Sequence, residues 1–200
     1  MEARFIVACS GPADLPTSAL AEVGIAGRSN CGKSSLINAL TEHSKLARTS
    51  STPGRTRQII FFRVRFPRVE PFHLVDLPGY GFAKVGRQQQ ASWAPLIDHY
   101  IDNRAQLRAL LVLNDIRRPP GDEERDLIHW AHRRGIAPLI VLTKADKTPK
   151  NKRFGLIRSA QRALALQRPP LACSIHQRET IVTLRHGIVE LASLAATGDR

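Results

Sequence analysis

The stretch Gly27-Arg28-Ser29-Asn30-Cys31-Gly32-Lys33-Ser34 limits this chain more than any other feature. It follows an apolar run, Val23 to Ala26, and opens a segment from Ser34 to Leu40 with helical spacing. A G-x-x-x-x-G-K-S pattern between a strand and a helix is built to hold phosphates. Its glycines let successive backbone N–H groups turn inward, and the helix N-terminus adds partial positive charge. In such a loop Lys33 reaches the β and γ phosphates and the Ser34 hydroxyl takes a magnesium ion. The fold must then place a strand end, a tight turn and a helix start in line.

The remaining pattern agrees with that demand. Short apolar runs alternate with longer amphipathic stretches, as expected for a sheet covered by helices on both faces. Strands are predicted over Gln58 to Phe66, Phe72 to Val75, Leu107 to Leu113, Ile136 to Leu142 and Leu171 to Cys173. Helices are predicted over Gln88 to Ile101, from Asp122 onward, over Phe154 to Leu166 and over Glu179 to Leu194. Residues 42–57, polar and broken by Pro53-Gly54, read as a mobile loop. With 200 residues, 42% of them hydrophobic, the chain has material for one substantial core.

Two further motifs follow in order, each at a strand end. In Asp76-Leu77-Pro78-Gly79 a carboxylate can bind magnesium through water while the Gly79 N–H meets the γ phosphate. In Thr143-Lys144-Ala145-Asp146 the aspartate can accept hydrogen bonds from the N1–H and N2–H₂ edge of guanine. Adenine lacks that donor pair, and a carboxylate left without it loses about 1 to 3 kcal/mol, so the motif selects GTP and GDP. Lys144 would lay its stem across the base.

Composition narrows the partners. A formal charge of +13 favours polyanions. Neither an apolar span of about 20 residues nor a long secretory h-region is found, so no membrane association and a cytoplasmic location are expected. Cys9, Cys31 and Cys173 have no metal-ligand spacing. Basic residues are spread over Arg48, Arg55 and Arg57, over Arg63, Arg65 and Arg68, and over Lys147, Lys150, Lys152 and Arg153, next to the expected pocket.

The segments GRSNCGKSSLINAL (27–40), ARTSSTPGRTRQIIFF (47–62), DLPGYGFAKV (76–85), NDIRRPP (114–120) and LTKADK (142–147) resemble the EngB (YihA) family of GTP-binding proteins, within the TrmE-Era-EngA-EngB-septin-like GTPases. The resemblance implies an α/β three-layer P-loop NTPase, a Ras-like G domain with a mostly parallel six-stranded sheet and helices on both faces. It implies one G domain over residues 1–200, with 1–22 an N-terminal extension and 177–200 the closing helix and tail. Nucleotide contacts would come from residues 27–34, Ser35, the loop Gly54, Arg55, Thr56, Arg57 and Gln58, residues 76–79, Thr143 to Asp146, and Cys173-Ser174-Ile175. Thr56 would join Ser34 and Asp76 on magnesium.

Two departures bear on chemistry. Ile175 replaces the second member of the family's usual serine pair, and Tyr80 stands where many GTPases carry a water-orienting glutamine. Asn30 resembles an asparagine that ligates an activating potassium ion. Lys33, Thr56, Gly79 and Asn30 are thus the candidate catalytic set, with slow intrinsic hydrolysis that K⁺ or the ribosome accelerates. The resemblance names the large ribosomal subunit or its precursor as partner, with a link to cell division and septation, and a monomer is expected. Two rivals stand beside this switch: an RNA-binding assembly protein whose nucleotide site scarcely turns over, and a small-molecule phosphotransferase on the same loop.

Overall fold

The computed structural model describes residues 1–48, 58–80 and 96–194. Seven strands form one sheet: β1 (Glu2–Cys9), β2 (Glu22–Gly27), β3 (Ile59–Arg65), β4 (Phe72–Asp76), β5 (Leu107–Asp115), β6 (Ala137–Thr143) and β7 (Leu171–Ala172). Their order is β1-β3-β4-β2-β5-β6-β7. The edge pairs β1–β3 and β3–β4 are antiparallel, and every pair from β4 to β7 is parallel. The sheet therefore has seven strands rather than the expected six. The seventh is β1, which lies in the segment set apart as an N-terminal extension. Its partner, β3, is some fifty residues away, and pairing at such a distance leaves no local signal in EARFIVAC.

The centre of the sheet is dry on both faces. All six residues of β2 are buried, and β5 buries all but Arg108. Near-continuous apolar runs of this kind belong to parallel strands covered on both sides. On one face α1 (Lys33–Thr41) and α5 (Arg178–Ala192) pack Leu36, Ile37, Leu40, Leu184 and Ile188 onto Val23, Ile25 and Leu111. On the other, α2 (described over 96–103) and α3 (Asp122–Arg133) pack Leu96, Tyr100 and Ile128 onto Val75, Leu110 and Val112. The expected helix over Gln88 to Ile101 lies outside the described residues as far as Pro95. The last long helix before β7, α4 (Lys150–Ala163), begins four residues before the predicted start, because Pro149 caps it and the polar Lys150 to Arg153 ride on its first turn.

Parallel registers bring the functional strand ends together. Ile25 pairs with Asp76, Gly27 with Leu113, and Asp115 with Thr143. The carboxyl ends of β2, β4, β5 and β6 thus line one crevice, where ligands of open α/β sheets bind.

A buried charge fastens the opposite end of β2. Glu22, fully buried, accepts hydrogen bonds from Tyr100 Oη at 2.8 Å and from Arg104 Nη2 at 2.6 Å. Burial alone would raise the Glu22 pKa, but contacts with His73, Arg104 and Tyr100 outweigh it and hold the carboxyl below its ordinary 4.5. A carboxylate depressed in the folded state stabilises above its unfolded pKa and loses that contribution as pH falls through the folded value. Glu22→Gln should therefore destabilise the protein by about 3 kcal/mol at pH 7 in urea denaturation. The gap from wild type should close as pH drops below 4.5.

Candidate nucleotide site

Steric limits shape the loop between β2 and α1. A Cβ on Gly27 would lie 2.7 Å from Cys31 Sγ and 3.1 Å from the Leu113 carbonyl, so only glycine fits. Asn30 (φ 64°) and Gly32 (φ 98°) both take left-handed backbone, which curls the loop into a concave turn. Gly32 caps α1 without a side-chain hydrogen bond, and Ser34 and Ser35 lie half-buried in the first turn. That turn offers its amides to an anion. The amides of Ser29 and Cys31 are engaged elsewhere: Ser29 N donates to the Tyr80 carbonyl at 3.0 Å and Cys31 N to the Arg28 carbonyl at 3.0 Å. The available donors are therefore concentrated toward the helix end of the loop.

Lys33 and Asp76 meet directly. Lys33 Nζ donates to Asp76 Oδ1, with side chains 12% and 5% exposed. Burial raises the Asp76 carboxyl above its ordinary range even though Lys33 pulls it down. This carboxylate stands against Lys33 where a phosphate group would bind. Among the described residues no group of three His, Cys, Asp or Glu side chains could hold a metal. A magnesium ion here fits a different pattern, with Ser34 and Asp76 supplying oxygens and phosphates and water supplying the rest.

Residues 77–80 lie against the loop. A Cβ on Gly79 would be 3.1 Å from Ser29 Oγ, and Tyr80 N donates to the Gly27 carbonyl at 3.3 Å. Leu77 and Pro78 are buried, with Leu77 N bonded to the Ile25 carbonyl at 3.1 Å. Tyr80 packs into the core under α3, and its buried hydroxyl has no hydrogen-bond partner among the described residues. Burial, with Glu124 nearby, pushes the phenol well above its ordinary pKa. Arg28 also turns to α3, its Nη2 donating to Glu123 Oε2 at 2.6 Å and its Nε lying 3.3 Å from Glu124 Oε1. Its side chain thus ties the loop to α3 and leaves only its backbone to face a ligand.

The Thr143 to Asp146 end of the crevice is latched to the same loop. Thr143 Oγ1 donates to the Cys31 carbonyl at 2.6 Å, and Lys144 Nζ donates to the Asn30 carbonyl at 2.6 Å. Lys144, at φ 57°, carries its stem over Gly32, its Cε 3.7 Å from where a Cβ would sit. Ala145 N bonds the Cys173 carbonyl at 3.1 Å, and Ser174 Oγ donates to Asp146 Oδ1 at 2.7 Å. The Ser174 bond is the main reason that Asp146 titrates below its ordinary value, so it stays an acceptor. A cavity of about 210 Å³ opens here, bringing together Gly32, Ser35, Lys144, Asp146 and Ile175.

Sequence reasoning assigned no role to Asp115. At the end of β5, it lies 3.2 Å from Lys144 Nζ and is gripped by Arg117 Nε at 2.9 Å and Nη2 at 2.7 Å. Burial would raise its pKa, but the Arg117 and Lys144 contacts lower it far more. A charged residue closing a long apolar run was the available signal. His176 is a second missed residue on the cavity wall. Gln58, grouped with the nucleotide contacts, instead donates from Nε2 to Ser10 Oγ at 2.8 Å, and the structure does not bring it to this cavity. Gly54, Arg55, Thr56 and Arg57 lie outside the described residues.

The family described as 50S ribosome-binding GTPases matches residues 22–144. A "Probable GTP-binding protein EngB" from Geotalea daltonii is 47% identical over 150 residues, covering 75% of this chain and 70% of that protein. The chain belongs to the EngB family of GTP-binding proteins. A second EngB, from Geobacter metallireducens, is 44% identical over 170 residues, covering 85% of this chain and 81% of its own length. A crystal structure of an EngB protein matches 86% of this chain and 98% of its own at TM-score 0.62 and 23% identity. Era, solved with MgGDPNP and nucleotides of 16S ribosomal RNA, matches 90% of this chain and 59% of its own at TM-score 0.73 and 18% identity. At those identities the solved structures establish the shared P-loop GTPase fold, and the family is that of GTP- and GDP-binding GTPases.

The two aspartates should separate in a binding assay. Asp146→Asn should lower GTP affinity more than 100-fold, by order of magnitude, and raise affinity for xanthosine triphosphate. Asp115→Asn, which loosens Lys144 without touching the base edge, should weaken both GTP and GDP about tenfold and leave base preference unchanged. Titration calorimetry with the three nucleotides reads both outcomes.

Proposed function

We infer that this EngB-family chain is a molecular switch that binds GTP with magnesium, hydrolyses its β–γ anhydride slowly, and engages the large ribosomal subunit during assembly. The observation that carries the reading is the latch of Lys144 onto Asn30, which joins the phosphate-facing Lys33 to the base-facing Asp146 in one crevice. A nucleotide spanning that crevice would replace Asp76 as the partner of Lys33. The Asp146 carboxylate, oriented by Ser174, would select guanine. Bound magnesium would supply charge neutralisation to the phosphates, with Ser34 and Asp76, joined by Thr56, as its protein ligands. The Gly79 amide, close beside Ser29, is the donor for a γ phosphate.

The slow rate follows from what surrounds the loop. Tyr80, in the place of a water-orienting glutamine, keeps its hydroxyl buried at α3. Transition-state charge must then be compensated from outside, by potassium at Asn30 or by the ribosome. Asn30 takes left-handed backbone in the loop and is exposed, which leaves it open to such an ion.

A charge of +13 supports an rRNA partner, and so does the match to the family of 50S ribosome-binding GTPases. No helix of the described residues is long and apolar enough to cross a membrane. The same reading places the protein in the cytoplasm as a monomer, linked to cell division and septation. The turned-away Tyr80 favours one alternative, an RNA-binding assembly protein whose nucleotide site is structural.

Single-turnover hydrolysis in K⁺ and Na⁺ buffers, with and without large ribosomal subunits, separates the two. The switch predicts faster turnover in K⁺ or with subunits, with the K⁺ effect lost in Asn30→Ala. Negligible turnover under every condition, with nucleotide still bound, would favour the structural reading.

A further inference from the structure

The helix α4 follows the base-reading loop directly and is charged in one sense only. Its 14 residues, KNKRFGLIRSAQRA, hold Lys150, Lys152, Arg153, Arg158 and Arg162 and no acidic residue. Some arginines elsewhere, Arg28, Arg104, Arg117, Arg125, Arg134 and Arg185, pair with carboxylates. Among the described residues none of the five α4 cations does so. Arg153 donates instead to the Thr148 carbonyl at 2.9 Å and Arg158 to Gln161 Oε1 at 3.0 Å. Like charges four apart, as at Arg158 and Arg162, work against the helix.

Phe154 adds an independent observation. It is 73% exposed, the most exposed large hydrophobic side chain among the described residues. The apolar side of α4 faces inward, where Leu156, Ile157 and Ala160 pack on Ile116, Leu142 and Ala145. Phe154 lies outside that contact. Among the described residues Gly155 beside it would meet nothing within 4 Å if it carried a Cβ, so packing there gives no reason for a residue that weakens a helix. Bare backbone next to an exposed ring leaves room for a flat ligand to approach.

Spacing joins these features. Lys150, Phe154, Arg158 and Arg162 recur every four residues, about 6 Å apart along the axis, on one slowly winding stripe. Cations flanking an aromatic face match a single-stranded nucleic acid, whose bases stack on rings while its phosphates take the charges. A membrane-surface helix would need a broad apolar face, and α4 turns that face into the protein.

Resting on the ribosomal RNA partner inferred above, we propose that α4 is an RNA-docking helix: Phe154 stacks on an unpaired base of a loop or bulge, and Lys150, Arg158 and Arg162 bind the flanking phosphates. The helix is tied to the nucleotide pocket through Arg153 and Thr148, which sits next to Asp146 and Lys147. Docking there reports on the loop that reads guanine.

Fluorescence anisotropy of the full chain with bound GDP tests this, using a labelled single-stranded RNA of about 12 nucleotides and the corresponding duplex. Phe154→Ala should weaken single-strand binding roughly tenfold and leave duplex binding unchanged, because paired bases are not free to stack. The double variant Arg158→Gln/Arg162→Gln should weaken both and lower the single-strand salt slope by about 1.4. GDP affinity should match wild type in each, showing that the variants fold. RNA binding by wild type that neither variant alters would overturn the α4 assignment and leave the RNA partner standing. A wild type that ignores both RNAs would overturn the partner and α4 together. Phe154-dependent binding to phosphatidylserine vesicles without RNA binding would also overturn it.

Discussion

The buried ion pair between Lys33 and Asp76 is the contact on which the rest of the site depends. An ammonium and a carboxylate removed from water each lose several kcal/mol of solvation, so neither tolerates burial without the other or a substitute. The fold makes the pairing unavoidable. Parallel register puts the end of β4 beside β2, and the turn after β2 starts α1 with Lys33. A site holding this pair is ready for a partner exchange in which phosphate takes the ammonium and a divalent cation takes the carboxylate. Both charges then stay compensated at every stage.

The loop that carries Lys33 is held from several directions, and each hold involves another part of the nucleotide crevice. Thr143 and Lys144 grip the carbonyls of Cys31 and Asn30, so the end of β6 and the loop before α1 share hydrogen bonds. Asp115 steadies Lys144 from below, while Arg117 grips Asp115 with a half-exposed guanidinium. On the other side Arg28 reaches Glu123 on α3, and the Tyr80 backbone bridges Gly27 and Ser29. A change in residues 77–80 thus reaches the phosphate loop through main-chain hydrogen bonds, the kind of connection a switch needs.

Much of this is legible in the amino-acid sequence. The G-x-x-x-x-G-K-S spacing requires a strand, a left-handed turn and a helix, and Gly27 and Gly32 occupy positions that steric contact and a φ of 98° reserve for glycine. Uninterrupted apolar runs marked β5 and β6 as strands, and the structure sets them side by side in the parallel part of the sheet. The unread parts rest on distant or side-chain contacts. β1 depends on a partner far along the chain, and the pairing of Arg28 with α3 spans 95 residues. Asp115 lies in the segment NDIRRPP, yet its contact with Lys144 appears only when β6 sets that lysine beside it. The commitment of the Ser29 amide to Tyr80 has no sequence signature.

The central claim, that nucleotide phosphate replaces Asp76 as the partner of Lys33, is tested most directly by GDP titration of wild type and Asp76→Asn, with magnesium and with EDTA. In EDTA the variant should bind GDP at least as tightly as wild type, because the competing carboxylate has gone. Added magnesium should tighten wild type and leave the variant unchanged. Equal loss of GDP binding by a folded Asp76→Asn variant in both buffers would contradict the account.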